Sequence, residues 1–252
     1  MSSDMSGKII TLRGHLLQTA KDFIVKNHVH PKKWAYTYDG EERLDYYQSI
    51  WFSADVNRAE DPDGYEVELT DHNRITIPAG RIVDFGYEAG LITDVSVTLP
   101  LAPAPFALAM HIAGGIGDQF EKAGYHRKLR KDDLTEQDIR EDLSQFLYYG
   151  EWLLPDTGLA KYSLDIEAYS SLSGVASPSP VPLTGPHSAD EPETYLLRFY
   201  ARVDGEISNE LTRLSYARRV AVNGDWRKHI PVRLWLDDPG WRPEGWKGKY
   251  IK

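Results

Sequence analysis

Short stretches of alternating polarity, separated by turns of only a few residues, recur along this 252-residue chain and constrain its fold more than any other feature. In KYSLDIEAYS, residues 161–170, Tyr162, Leu164, Ile166 and Ala168 share one face, while Ser163, Asp165 and Glu167 share the other. Successive side chains of an extended strand point to opposite sides, so this pattern predicts a strand with one buried and one wetter face. Asp165 and Glu167 on one face could raise each other's pKa in a cleft, or simply meet solvent as alternating polar positions do.

The same reading extends along the chain. WAYTYDGEERLDYYQSIWFSADV, residues 34–56, is dense in aromatic and β-branched residues, and Asp39-Gly40 can reverse it. DPDGYEVELTDHNRITI, residues 61–77, offers further turns at Asp63-Gly64 and at Asp71 to Asn73, so residues 33–99 are expected to form a β-meander. PLAPAP, residues 100–105, should break that run, because proline cannot donate to a ladder. YLLRFYARVDGEI and RRVAVNGDWRKHIPVRLWL read as further strands, with a hairpin at Asn223-Gly224.

Helices punctuate this pattern. Leu17, Ala20, Phe23 and Ile24 recur at helical spacing up to Lys26, with Asn27 as a cap. Residues 106–131 look helical in part, interrupted by Gly114, Gly115 and Gly117. Thr135 and Asp138 resemble a capping box, and Ile139, Leu143, Phe146 and Leu147 form a stripe that predicts a helix up to Gly150. Residues 173–194 hold five prolines and little to bury, and are expected to be a long loop. Turns this short join antiparallel neighbours but not parallel ones. The expected fold is therefore α+β and predominantly antiparallel, a sandwich or partly closed barrel flanked by two or three helices, in a single domain over residues 1–252.

The absence of cysteine excludes disulfide frameworks, thiolate zinc sites and cysteine nucleophiles. The start MSSDMSGK lacks the features of a secretory signal, and no apolar run reaches the ~20 residues a membrane helix needs, so a cytoplasmic location and no membrane association are expected. A net charge of −9 speaks against general affinity for nucleic acid. That charge is unevenly spread: residues 195–252 carry 12 Lys and Arg against 7 Asp and Glu, while residues 1–194 carry 17 against 31.

Four stretches invite a chemical reading. In HVHPKKW, residues 28–34, His28 and His30 would project from one face of a strand and could ligate a metal. Yet a helix end just before them and Pro31 just after explain the same residues as a stop signal, and no metal or cofactor is expected. AGGIGDQ, residues 113–119, has glycines suited to a phosphate turn, but Phe120 stands where the third glycine of a dinucleotide fingerprint belongs. HRKLRK, residues 126–131, is a basic run followed at once by acids, which reads as a solvated loop with internal ion pairs. The arm over residues 235–252 places Trp235, Trp241 and Trp246 among Arg242, Lys247 and Lys249, a mixture that could bind a sugar, an anion or a protein partner, or else cover the chain's own core.

No serine, histidine or carboxylate arrangement forms an intact catalytic signature; SSLSG at residues 170–174, for example, departs from G-x-S-x-G. The leading expectation is a non-catalytic cytosolic protein that works by association, as a component of a larger complex, by self-association, or as an inhibitor or immunity-type binder. The basic Trp-rich segment and the acidic body would be its contact surfaces. The competing expectation is a hydrolase or lyase acting on a carbohydrate or small anionic molecule, with His28, His30 and His111 as the first acid–base candidates.

Overall fold

A computed structural model describes residues 8–30, 37–38, 41–45, 48–54, 62–142, 146–169 and 193–251. Among them, strands β4 (Gln48–Ser53), β7 (Ile82–Glu88), β8 (Leu91–Ala104), β9 (His126–Arg130), β10 (Phe146–Leu153), β11 (Ala160–Tyr169) and β12 (Thr194–Val203) form one seven-stranded sheet. Its order is β4-β7-β8-β12-β11-β10-β9, and every neighbouring pair is antiparallel. A three-stranded sheet of β1 (Ile9–Gly14), β5 (Gly64–Leu69) and β6 (Ile75–Gly80) packs against it, and β2 (Thr37–Tyr38) pairs with β3 (Glu41–Glu42). Among the described residues the α+β, antiparallel-rich expectation holds, with no closed barrel and with five helices in place of the expected two or three.

The simple meander does not hold. β1 pairs in parallel with β5 across 55 residues, and β4 skips β5 and β6 to pair with β7. Gly64 opens β5 and forms no hairpin turn, whereas Asp71 to Asn73 do join β5 to β6. Asp39 and Gly40 lie outside the described residues. The chain passes between sheets at Gly80: a Cβ there would sit 2.3 Å from the Thr98 carbonyl oxygen, so only glycine lets β6 cross this close over β8.

The prolines at 100 and 103 do not end β8, which runs through to Ala104. They fall where its pairing with β12 shifts register, between Leu99↔Leu197 and Ala104↔Tyr195, so the missing donors interrupt no regular ladder. Pro105 then opens α2 (Phe106–Lys122), after α1 (Ala20–Lys26). The glycines of α2 do not interrupt it. Gly117 faces the Trp152 ring and Arg130, where a Cβ would lie 3.2 Å from either, so its small size admits close packing. Phe120 stacks on Trp152 at 5.0 Å and on Phe199 at 6.0 Å, and Gln119 accepts from Thr76 N–H at 3.0 Å and donates to Thr76 C=O at 3.1 Å, covering one edge of β6.

The Thr135–Asp138 capping box forms, but α3 (Glu136–Glu141) ends early. The Phe146–Gly150 segment is strand β10, and a bulge between Tyr148 and Gly150 hides its alternation. Residues 126–130 are likewise an edge strand, not a loop, though their cations do make the expected ion pairs: Arg130 with Asp118, Glu121 and Asp132, and Lys128 with Glu151. A basic edge of this kind discourages pairing with another sheet.

The largest departure lies in residues 205–237. The expected strand at 195–207 holds only through β12, and the rest of it and much of the expected strand at 218–236 fall in α4 (Gly205–Asn223) and α5 (Arg233–Asp237); Asn223-Gly224 is a helix terminus, with Gly224 left-handed at φ 72. That conformation is the usual way to close a helix, and glycine adopts it without Cβ strain. The buried face of α4 is Ile207, Glu210, Leu211, Leu214, Ser215, Arg218 and Arg219, so more than half of it is polar.

Candidate functional site

Because β11 is read correctly from its alternation, its polar side chains face away from the core, and the cross-strand register shows what they meet. On the face of the seven-stranded sheet opposite α2, Trp51, Asp84, Ser96, Tyr200 and Ser163 stand opposite one another in turn across five strands. A second row, offset by two residues, runs Ile82, Thr98, Arg198, Asp165 and Tyr148. A third brings Asp94, Arg202 and Lys161 together. Opposed residues of an antiparallel pair point to the same side, so the three rows form one polar, aromatic groove across the strands.

The wider part of the groove is a recess of about 580 Å³ whose walls include Ser49, Trp51, Asp84, Ser96, Arg198 and Tyr200. Asp84 is half-buried at its floor, and its Oδ1 makes no hydrogen bond. Burial pushes its carboxyl up to about 6; the neighbouring Asp94 adds to this and a hydrogen bond from Ser49 opposes it. A carboxyl in that position accepts a proton or a hydrogen-bond donor readily. Arg198 is turned along the groove to Glu167, with Nε and Oε2 at 2.6 Å.

The histidines expected to be acid–base or metal candidates do not reach this groove. His28 and His30 are exposed just beyond α1, where Asn27 caps the helix by bonding to Phe23 and Val25 carbonyls, and His111 is exposed on α2. His28 itself adopts φ 49, as a residue past a helix end does, so it does not lie in a strand with His30. Among the described residues no group of three or more His, Cys, Asp or Glu is placed to hold a metal ion. His187 and the 170–174 serines lie outside the described residues, as do residues 173–192 of the Pro-rich stretch.

The C-terminal arm folds onto its own chain. Trp235 is 2% exposed, lies edge-on to Trp241 at 6.0 Å and receives the Arg218 guanidinium over its ring at 4.3 Å. Trp246 donates to the Ile251 carbonyl at 2.7 Å, and Arg242 to the Pro239 and Trp241 carbonyls. Lys249 Nζ pairs with Glu206, while Lys247 is exposed. The buried Glu210 carboxylate accepts from the backbone N–H groups of Lys249, Tyr250 and Ile251. These contacts occupy the tryptophan faces and much of the basic charge within the fold.

One buried cluster ties this arm to the sheet. Asp45, 4% exposed, accepts from Arg219 Nε at 3.0 Å, Ile230 N–H at 2.6 Å and Trp235 Nε1 at 3.4 Å, and the His229 ring meets its backbone carbonyl. Nothing around Asp45 in the sequence marks it, since its partners lie 174 or more residues away. Asp84, Trp51 and Tyr200 were equally invisible as a set: each is merely an outward position of a strand until register aligns them.

Comparison with models of known protein families, with curated proteins and with solved structures found no match.

Proposed function

We propose that this is a binding or assembly protein that acts by association with a protein partner, and that the groove on the outer sheet face receives a cationic side chain of that partner. The observation that carries this is Asp84, which lines the recess together with Trp51 and Tyr200 and whose buried Oδ1 makes no hydrogen bond. A lysine or arginine entering there gains a charge-assisted hydrogen bond and an aromatic face together. Trp51 is 41% exposed, and Trp, Tyr and Arg are the side chains that most often dominate binding energy. The acidic excess over residues 1–194 supports the same reading, since it attracts a cationic partner at long range.

The test is a photo-reactive amino acid at position 51, activated in the source cells. A discrete crosslinked partner that disappears in Asp84→Asn and weakens with added salt is expected. Crosslinks indifferent to Asp84→Asn would overturn the proposal. A second reading, acid–base chemistry on a carbohydrate or small anion, has one observation in its favour: Asp84 and Asp165 on the same face are both pushed up to about 6, near the pH at which a general acid works. Turnover abolished by both Asp84→Asn and Asp165→Asn, with no partner captured, would favour it.

A further inference from the structure

Across Tyr200 from the Asp84 recess, the groove continues into a smaller recess of about 240 Å³ lined by Tyr148, Lys161, Ser163, Asp165, Tyr200 and Arg202. Asp165 is only 8% exposed, yet its Oδ1 makes no hydrogen bond. Its cross-strand neighbour Arg198 is directed to Glu167 instead. A carboxylate so buried normally has its oxygens satisfied, so Asp165 is short of a donor that a ligand in the recess can supply. At the other end of the recess, Arg202 lies over the Tyr200 ring at 4.7 Å and makes no ion pair among the described residues. Its cross-strand neighbours are Lys161, which pairs with Glu151 at 2.6 Å, and Asp94.

We infer that this recess binds a compact zwitterion of the amino-acid type, with its ammonium group on Asp165 and its carboxylate on Arg202. Lys161 and Asp165 are four residues apart on β11, about 13 Å between Cα atoms. The Arg202 and Lys161 cations nevertheless act on the Asp165 carboxyl by charge, so they lie within electrostatic reach of it, and Ser163, Tyr148 and Tyr200 line the recess. Neither a simple anion nor a simple cation answers both ends. Asp165 stays largely ionised at neutral pH, with its carboxyl pushed up to about 6 chiefly by burial, so the ammonium site is available there and closes in mild acid.

Free amino acids and the termini of peptides share this chemistry, and derivatives tell them apart. Binding of glycine, β-alanine, γ-aminobutyrate and the common α-amino acids would be followed by chemical-shift changes in the intact protein, alongside their N-acetyl and carboxamide forms. At least one free zwitterion should saturate, with both derivatives weaker by roughly tenfold or more. Asp165→Asn and Arg202→Met should each erase that preference while leaving the remaining resonances in place. An N-acetyl or carboxamide form binding as well as its parent would overturn the inference, because it would show that a peptide terminus or a single charge suffices. Failure of every zwitterion to saturate at millimolar concentration, or binding unchanged in both variants, would overturn it as well.

Discussion

Replacing Asp165 by asparagine should make the ligand-free protein more stable at pH 8 and leave it unchanged near pH 4. The carboxyl is raised from 3.8 to about 6, chiefly by burial, against the pull of Arg198, Arg202 and Lys161. Between those two values the folded chain holds the proton and the unfolded chain has released it, so stability falls as pH rises through that window and is level above it. At ~1.4 kcal/mol per pH unit the full window amounts to about 3 kcal/mol with the pull of the three cations included, an upper figure because the asparagine amide is itself buried in the carboxyl's place. Asparagine keeps the shape and never ionises. The variant should therefore gain about 1–3 kcal/mol at pH 8, which for a chain of this size raises Tm by about 3–10 °C. Thermal unfolding followed by circular dichroism at both pH values, with urea titration as a check, measures this. A variant less stable than the parent at pH 8 would refute the reasoning, because it would mean that the cations outweigh desolvation and that the carboxylate is already satisfied.

Three further substitutions test the frame around the groove. Asp45→Ala removes the acceptor shared by Arg219, Ile230 N–H and Trp235, leaves a buried guanidinium without its partner, and should cost about 3–5 kcal/mol in urea unfolding; Arg219→Met added to it should recover part of that loss. Gly80→Ala places a methyl group 2.3 Å from the Thr98 carbonyl oxygen and should cost on the order of 2–3 kcal/mol, read as a lower denaturation midpoint. Gly224→Ala meets no neighbour within 4 Å, so its effect comes from backbone strain alone and should be about 1 kcal/mol, without change in the shape of the spectrum.

What could be read in the sequence was whatever local periodicity records. The two faces of β11, the Thr135–Asp138 cap and the Asn27 cap all appear as expected, because each depends on residues within a few positions. The failures share a cause of the opposite kind. From the sequence β10 reads as the end of a helix because its bulge shifts Tyr149 and Trp152 out of alternation, and because Gly150 looks like a stop. In the fold Gly150 is small for another reason: a Cβ there would lie 2.3 Å from the Trp152 ring.

Helix α4 escaped detection because Glu210, Ser215, Arg218 and Arg219 occupy buried positions that a helical stripe would fill with apolar residues. Their partners, Asp45 among them, are remote in sequence, so their burial could not be foreseen. The groove is the same problem on a larger scale. Outward positions such as Asp84 and Tyr200 are legible one strand at a time, but their alignment depends on register between segments more than a hundred residues apart.

The position of β12 carries a consequence for how the groove comes into being. Last of the described strands in the chain, it lies between β8 and β11 near the middle of the sheet. Until it inserts, β4-β7-β8 and β11-β10-β9 are separate ribbons, each with an open edge, joined only through the chain between them. Closing such distant pairings is slow relative to local hairpin formation. Every row of the groove passes through Arg198, Tyr200 or Arg202, so recognition should appear in a single late kinetic phase, after most secondary structure has formed. A ligand for this face would then serve as a clock for the last folding step.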